Sequence, residues 1–382
     1  MDFISTVILT TVILAVLIAF HEFSHFTFAK LFNVFVERFS IGFGKILFSK
    51  QIGETEYAIS LIPFGGYVKM LGEEDNLLQG KDGELPIEIS RSFARIFFWK
   101  QALIVLAGPG GNFFMAFVIY VFLGLYLGVP MMNSKVSEVM ESLPAKVAGI
   151  KVGDSIYAIS LGTGEKYTEV SALADIKGFL AVSKNTSVTF YFYRNPENCD
   201  VLICPNPLKL ETTLVPRLMS GVDEFGLPVE QYSIGISGTE ERLRGVQSAV
   251  WGGWRATRDT SMLIVRALGK LVTGSLSPQK SLGGPIAIGK MVKNVKEQGG
   301  YIGLLDFTAG FSVNLAILNL LPLPVVDGGQ LVWILIPGAV LKRFGRKLSP
   351  VYIRWVQSIG LILIVAIMIF ALTNDFSGLL PK

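Results

Sequence analysis

Histidine is almost absent from this chain. Its 382 residues include two, and both fall in one pentapeptide, His21-Glu22-Phe23-Ser24-His25. Cysteine is equally scarce, and Cys199 and Cys204, without a histidine near them, are too few for a zinc site of their own. Charged residues make up 17% of the chain and the net charge is only +4. No long basic run or basic–aromatic array is present, so no nucleic-acid partner is expected. The amino terminus lacks a basic leader and a small-residue cleavage site. Residues 3–30 are therefore expected to be a retained helix and not a signal peptide.

What the chain has in abundance is apolar surface: 51% of its residues, with a mean hydropathy of +0.52. That composition belongs to membrane proteins and implies the lipid bilayer as a partner. Four stretches are long enough to span, at 3–28, 99–127, 302–336 and 353–373. The third is interrupted by Pro322, Pro324 and Gly328-Gly329. Irregular backbone at membrane depth is tolerated only inside protein or beside a wet cavity, so this break marks a site. Basic residues cluster between the first two spans (Lys30, Arg38, Lys45, Lys50 and others) and between the last two (Lys342, Arg343, Arg346, Lys347). The positive-inside rule then expects 31–98 and 339–352 in the cytoplasm, with both termini and 128–300 outside.

The pentapeptide carries the chemistry. Residues four apart on a helix share a face, so His21 and His25 can hold one metal ion while Glu22 stands beside it as a general base. Two histidines stacked by chance on a spanning helix is the competing reading. Polar groups at that depth are costly and usually functional, which favours the site. A catalytic zinc takes a third protein ligand, and the acidic candidates in the later spans are Asp306 and Asp327. Asp306 belongs to the outer end of its span, whereas Asp327 falls at the depth of the histidines. An N-cap on the helical piece after it is the alternative role for Asp327.

Glycine-punctuated runs at 57–62 and 67–71, within 40–72, read as hairpins, and an exposed edge there could pair with an extended peptide. A compact α/β domain is expected at 131–218. Its Pro144–Ile156 stretch has the helix–turn–strand pattern of PDZ domains, with Gly149 and Gly153 at the turns. Cys199 and Cys204 are close enough in sequence for a disulfide across a hairpin, which the sequence alone leaves open. Residues 238–300 mix Trp251, Trp254, Arg255, Arg258, Arg266 and Lys270 with apolar positions. That pattern suits an interfacial amphipathic helix, or else a linker helix packed on the outer domain.

The expected architecture is thus a polytopic α-helical membrane protein with four transmembrane spans, a membrane-associated β-hairpin region and one PDZ-like α/β domain. Its segments are 1–30, 31–98, 99–127, 128–235, 236–301, 302–338, 339–352 and 353–382.

His21-Glu22-Phe23-Ser24-His25, Asn314, the run Asn319-Leu-Leu-Pro-Leu-Pro-Val-Val-Asp327-Gly328-Gly329, an Ala107-Gly108-Pro109…Asn112 turn and the PDZ-like insert together resemble the site-2 protease family. Ser281-Leu282-Gly283-Gly284-Pro285 and Asn374-Asp375-Phe376-Ser377 extend the likeness toward the carboxyl end, and the closest match is to the family's bacterial regulator-of-sigma-E branch. The resemblance implies an intramembrane metalloprotease of the bacterial inner membrane. It implies Zn2+ on His21, His25 and Asp327, with Glu22 catalytic, and substrates that are single-pass transmembrane proteins. Anti-sigma factors and remnant signal peptides are the substrate types implied. It also implies substrate contacts from Asn314, Asn319 and the hairpin residues Gly65, Gly66 and Tyr67. Two departures stand out: residues 128–235 have room for one PDZ-like domain where close relatives carry two, and Gln330 occupies a position often filled by histidine. A membrane protease of soluble peptides and a non-catalytic PDZ scaffold with structural zinc are the rival functions. An intact Glu22 beside the ligands argues against the scaffold. The sequence sets no oligomeric state.

Overall fold

The computed structural model describes residues 3–72, 90–162, 167–170, 175–176, 179–180, 183, 186–195, 208–222, 228–281, 283–345 and 348–377. Cys199 and Cys204 lie outside them. The chain forms two compact units, one made of Met1–Gly124 with Ala249–Lys382, the other of Leu125–Ser248.

In the first unit the long helices are α1 (Phe3–Leu31), α2 (Phe98–Leu127), α3 (Val246–Val272), α4 (Pro285–Leu320) and α5 (Pro350–Ser377). Among the described residues, α1, α2, α4 and most of α5 (Val351–Asp375) are long and apolar enough to cross a membrane. The buried stripe of α1 is not its most apolar one. Thr6, Thr10, Leu17, His21, His25 and Ala29 face inward, while Phe3, Ile4, Ile8 and Val16 are exposed. Lipid is as apolar as these side chains, so helices pack through small and polar residues and leave bulky ones outside.

Two expectations change here. Helix α2 runs unbroken through Pro109, where a turn was expected. Neighbouring helices can satisfy the carbonyl that a proline frees, so proline is tolerated in spanning helices. Helix α4 begins at Pro285, inside the stretch 236–301 assigned to interfacial helices, and is broken at Gly300 (φ 61°, ψ −145°). Val295 and Gly303 approach each other across that break, so the two helical pieces fold back on one another. Helix α3, expected to lie at the interface, buries Ala249, Gly253 and Thr257, four residues apart. A side chain at Gly253 would collide with Val121 and the Phe117 carbonyl of α2.

Strands β1 (Val36–Ile52) and β2 (Thr55–Met70) are more than a hairpin. Residues 36–41 pair with 66–70 on one side, and residues 38–43 pair with 56–62 on the other. Residues 46–52 pair with the far side of 55–60. Among the described residues this leaves 66–69 as an edge paired on one side only. The distal part exposes Leu47, Phe48, Ile52, Leu61 and Ile62, an apolar surface suited to lipid.

The second unit holds β3 (Val129–Val139), β4 (Ser155–Leu161), β5 (Thr168–Glu169), β6 (Val188–Arg194), β7 (Leu208–Leu214), β8 (Arg217–Val222), β9 (Pro228–Ser233) and β10 (Ile236–Leu243). The main sheet runs β10-β3-β4-β6-β7 with β5 on β4, while β8 and β9 form a separate hairpin. Its pairings are antiparallel. Valine and aromatic residues make β6 a strand, and Val188, Phe190 and Phe192 enter a core with Val136, Ile156 and Ile159. Gly149 and Gly153 take left-handed φ values of 82° and 94°, as turn positions require. Between them and β6, Arg194 donates two hydrogen bonds of 2.7 Å to the buried carboxylate of Asp154. Residues 236–243, expected to open a helical region, instead form the strand that pairs with β3 from Val129 to Val139. This pairing is a long-range partnership that local pattern does not reveal.

Candidate metal centre

Helix α1 presents His21 and His25 one turn apart, both buried, with rings edge to face at 4.8 Å. Asp327 reaches them from the irregular segment after α4. The chain leaves helical geometry after Leu320, passes Pro322 and Pro324, and resumes at Asp327–Gly329 before a π-helical stretch, Gln330–Leu335. Such π turns are frequent at functional sites. Only glycine fits at 328 and 329. A Cβ at either would strike a backbone carbonyl, that of Leu320 or that of Leu323.

Asp327 makes no N-cap side-chain bond, and the N-cap position belongs to Val326. Its carboxylate turns to the histidines instead. Oδ2 lies 3.1 Å from His21 Nε2, Oδ1 lies 3.5 Å from His25 Nε2, and the two Nε2 atoms are 3.2 Å apart. Tetrahedral donors about 2.0–2.1 Å from zinc stand about 3.3 Å from one another, so these separations fit the ion. Two further observations agree with a cation between the donors. Asp327 Oδ2 is buried without a hydrogen-bond partner. A Cβ at Gly108 of α2 would intrude on His25 Nε2 and on His21 Cε1, so the glycine keeps this space open. Asp306, the other acidic candidate, is exposed on α4 and stands outside the group.

A cavity of about 280 Å³ opens beside the histidines, lined among others by Glu22, Phe43, Gly65, Gly66, Asn319 and Asp327. Gly66 lies so close to α1 that a Cβ there would come within 2.9 Å of Glu22 Cγ. Of the residues expected to contact substrate, Gly65, Gly66 and Asn319 line this cavity. Asn314 and Tyr67 are not among its lining residues, although Asn314's neighbour Leu315 is. Tyr67 acts one step removed, its ring parallel to Phe43 at 6.3 Å and its hydroxyl accepting a hydrogen bond from Arg38.

Sequence reasoning quoted Asn112 within a motif but assigned neither it nor the Ile104 carbonyl a place behind the histidines. His25 Nδ1 donates to the Ile104 carbonyl at 2.7 Å, and the Asn112 side-chain amide lies 3.1 Å from His21 Nδ1. Both belong to α2. The Gly108-Pro109 pair in an apolar run was the available signal, since small residues in a span mark close approach.

The sequence profile of Peptidase family M50 matches residues 9–367. The chain is 29% identical to the zinc metalloprotease RasP of Oceanobacillus iheyensis, covering 98% of this chain and 99% of that one. It is 28% identical to the regulator of sigma-W protease RasP of Bacillus subtilis, covering 99% of each. A zinc metalloprotease candidate of Rickettsia conorii is 32% identical over 96% of this chain and 97% of its own. This chain therefore belongs to peptidase family M50, the site-2 proteases, and is a zinc-dependent metalloprotease with several membrane-spanning helices.

Proposed function

We propose that this protein hydrolyses peptide bonds inside the membrane-spanning segments of single-pass proteins, with zinc held by His21, His25 and Asp327. The observation that carries this reading is the convergence of three donors on one point, two from the membrane-length helix α1 and one from the shorter apolar segment that follows α4. Zinc bound there supplies a Lewis acid that polarises a peptide carbonyl and acidifies water. Glu22, in the cavity wall beside His21, takes the proton of the attacking water and returns it to the leaving amine. Gly66 admits the substrate backbone close to Glu22, where a larger residue would displace the base.

A spanning helix must unwind before attack, because its carbonyls are shielded by their own hydrogen bonds. The open edge at 66–69 offers backbone partners to such a strand, and Asn319 offers an amide from the opposite wall. Asn314, one turn from Leu318 on α4, and Tyr67, through Phe43, support these contacts indirectly. By the positive-inside rule we read 31–98 and 339–352 as cytoplasmic and the sheet domain as outer. We read that domain as PDZ-like, from its helix–turn–strand at Pro144–Ile156 and its antiparallel sheet. The sigma-W regulation in the name of the Bacillus relative makes an anti-sigma factor the first substrate to try, and a remnant signal peptide the second.

The test uses a tagged single-pass substrate with leucine-to-glycine changes along its span, incubated with the purified protein. Glycine should speed cleavage by weakening the helix. Proline in the 66–69 edge strand, where it removes a backbone donor, should slow it more than alanine does at the same site. Equal rates across the substrate panel would remove unwinding and strand pairing from the mechanism.

A further inference from the structure

The two imidazoles that face Asp327 each turn a second nitrogen toward α2, and the partners there differ in kind. His25 Nδ1 meets a backbone carbonyl, that of Ile104, which can only accept. Its hydrogen is thereby placed on Nδ1 and its lone pair on Nε2, the nitrogen facing the donor group. His21 Nδ1 meets a carboxamide, that of Asn112, which can donate with one end or accept with the other. Asn112 is fully buried, so water cannot stand in for it. Its backbone carbonyl is held separately by the Ser312 hydroxyl at 2.8 Å, leaving the side chain to serve His21 alone.

With Nδ2 turned to His21, the amide requires a lone pair on Nδ1 and places the imidazole hydrogen on Nε2. That hydrogen would occupy the space where Nε2 lies 3.2 Å from His25 and 3.1 Å from Asp327. The same orientation leaves Asn112 Oδ1 buried without a partner. Half a turn of the amide reverses the first consequence: Oδ1 accepts from Nδ1–H and the Nε2 lone pair is released, while Nδ2 takes the unpartnered position that Oδ1 held. The two ends of the amide have the same shape, so no neighbour has to move.

We infer that Asn112 is a positioning residue, whose side-chain carbonyl holds Nδ1–H of His21 and so sets the tautomer that can bind zinc. The inference rests on the ligand set given above. Partners behind metal-binding histidines commonly change metal affinity by about 10–100-fold when removed. Asn112 is expected in that range because, among the described residues, it is the hydrogen-bond partner that His21 Nδ1 has.

The experiment measures zinc affinity by chelator competition on the purified full-length protein in detergent. Asn112→Leu keeps the volume and removes the acceptor, and should bind zinc about 10–100-fold more weakly. Asn112→Asp keeps an acceptor in the same place and should stay close to the wild type. Wild-type affinity in Asn112→Leu, or equal loss in Asn112→Leu and Asn112→Asp, overturns the inference, the second result assigning Asn112 to packing. Should Asn112→Leu fail to accumulate as a folded protein, Asn112→Ala carries the same expectation and the same overturning result. His21→Ala in the same assay separates the two levels. If it retains zinc, the ligand set itself is wrong, whatever Asn112 does.

Discussion

The helical unit and the sheet unit both have apolar cores but differ in the polar groups they bury beside them. In the sheet unit the interior includes Val136, Ile156, Ile159, Val188, Phe190 and Phe192, and the deeply buried carboxylate of Asp154 is paired with Arg194. In the helical unit the interior faces hold His21, His25, Asn112, Ser312 and Asp375, while Ile359, Leu361, Ile362 and Ile369 of α5 point outward. The difference teaches how each unit is held. Water drives the first together by excluding apolar surface. Lipid gives no such drive, so the second depends on close packing and on polar contacts between helices. Asp375 shows the second mode. From the end of α5 its carboxylate accepts hydrogen bonds from the backbone N–H groups of Gly284, Ile286 and Ala287 at the start of α4. It caps a helix it does not belong to.

The sharpest break of this contrast is to remove a buried polar group from the helical unit. Asp327→Ala should lose zinc and all measurable proteolysis, whereas Asp306→Ala should keep both. Metal analysis of the purified variants decides it, and stoichiometric zinc in Asp327→Ala would sink the ligand set. Glu22→Gln comes next. Cleavage should fall by about 10²–10⁴-fold, the usual contribution of a general base, while zinc content stays at the wild-type level. Substantial residual activity would free Glu22 from that role.

The corresponding blow to the sheet unit is apolar. Phe190→Ala should cost about 3–5 kcal/mol of that unit's stability, read as hydrogen exchange accelerated across β4, β6 and β7. Zinc content should not change, because no ligand belongs to that unit. Unaltered exchange would contradict the core described here.

The smallest effect is electrostatic and lies at the end of α1. Glu54, in the turn between β1 and β2, is held down to about 2 chiefly by hydrogen bonds from Arg91, with help from Lys30. Its folded value lies below the ordinary 4.5. The stabilisation is therefore complete above about pH 4.5 and is lost as pH falls toward 2. The side chain is 30% exposed, so solvent keeps the effect modest. The protection factors of the 53–55 turn, hydrogen exchange corrected for its intrinsic pH dependence, should fall on acidification in the wild type and stay flat in Glu54→Gln. Parallel pH responses in both proteins would place the effect elsewhere.

The apolar spans could be read from the sequence because a run of apolar residues is a local property. Helices α1, α2 and α5 lie within a few residues of the stretches expected, whereas α4 runs from Pro285 to Leu320 where 302–336 was expected. The two histidines were equally open to reading, since one helical turn sets their spacing. Asp327 needed a depth argument, and the glycines after it that allow its approach gain their meaning only from the carbonyls of Leu320 and Leu323. The folding of residues 36–70 into four paired segments was not open to reading. Its register depends on which of several similar apolar runs meet, as 36–41 does with 66–70. The same is true of β10, which lies inside the stretch 236–301 expected to hold interfacial helices.

Composition and local periodicity by themselves pointed to membrane-length apolar stretches and to His21, Glu22 and His25 as the candidate zinc site. They could do so because hydropathy and one-turn spacing are properties of neighbouring residues. Only the tertiary structure decided what stands behind the metal ligands. Asn112 and the Ile104 carbonyl are distant from His21 and His25 in sequence, on a helix whose residues look alike when read in order. What sets them apart is that packing in lipid selects the small and polar face, and that face carries Gly108 and Asn112 to the imidazoles.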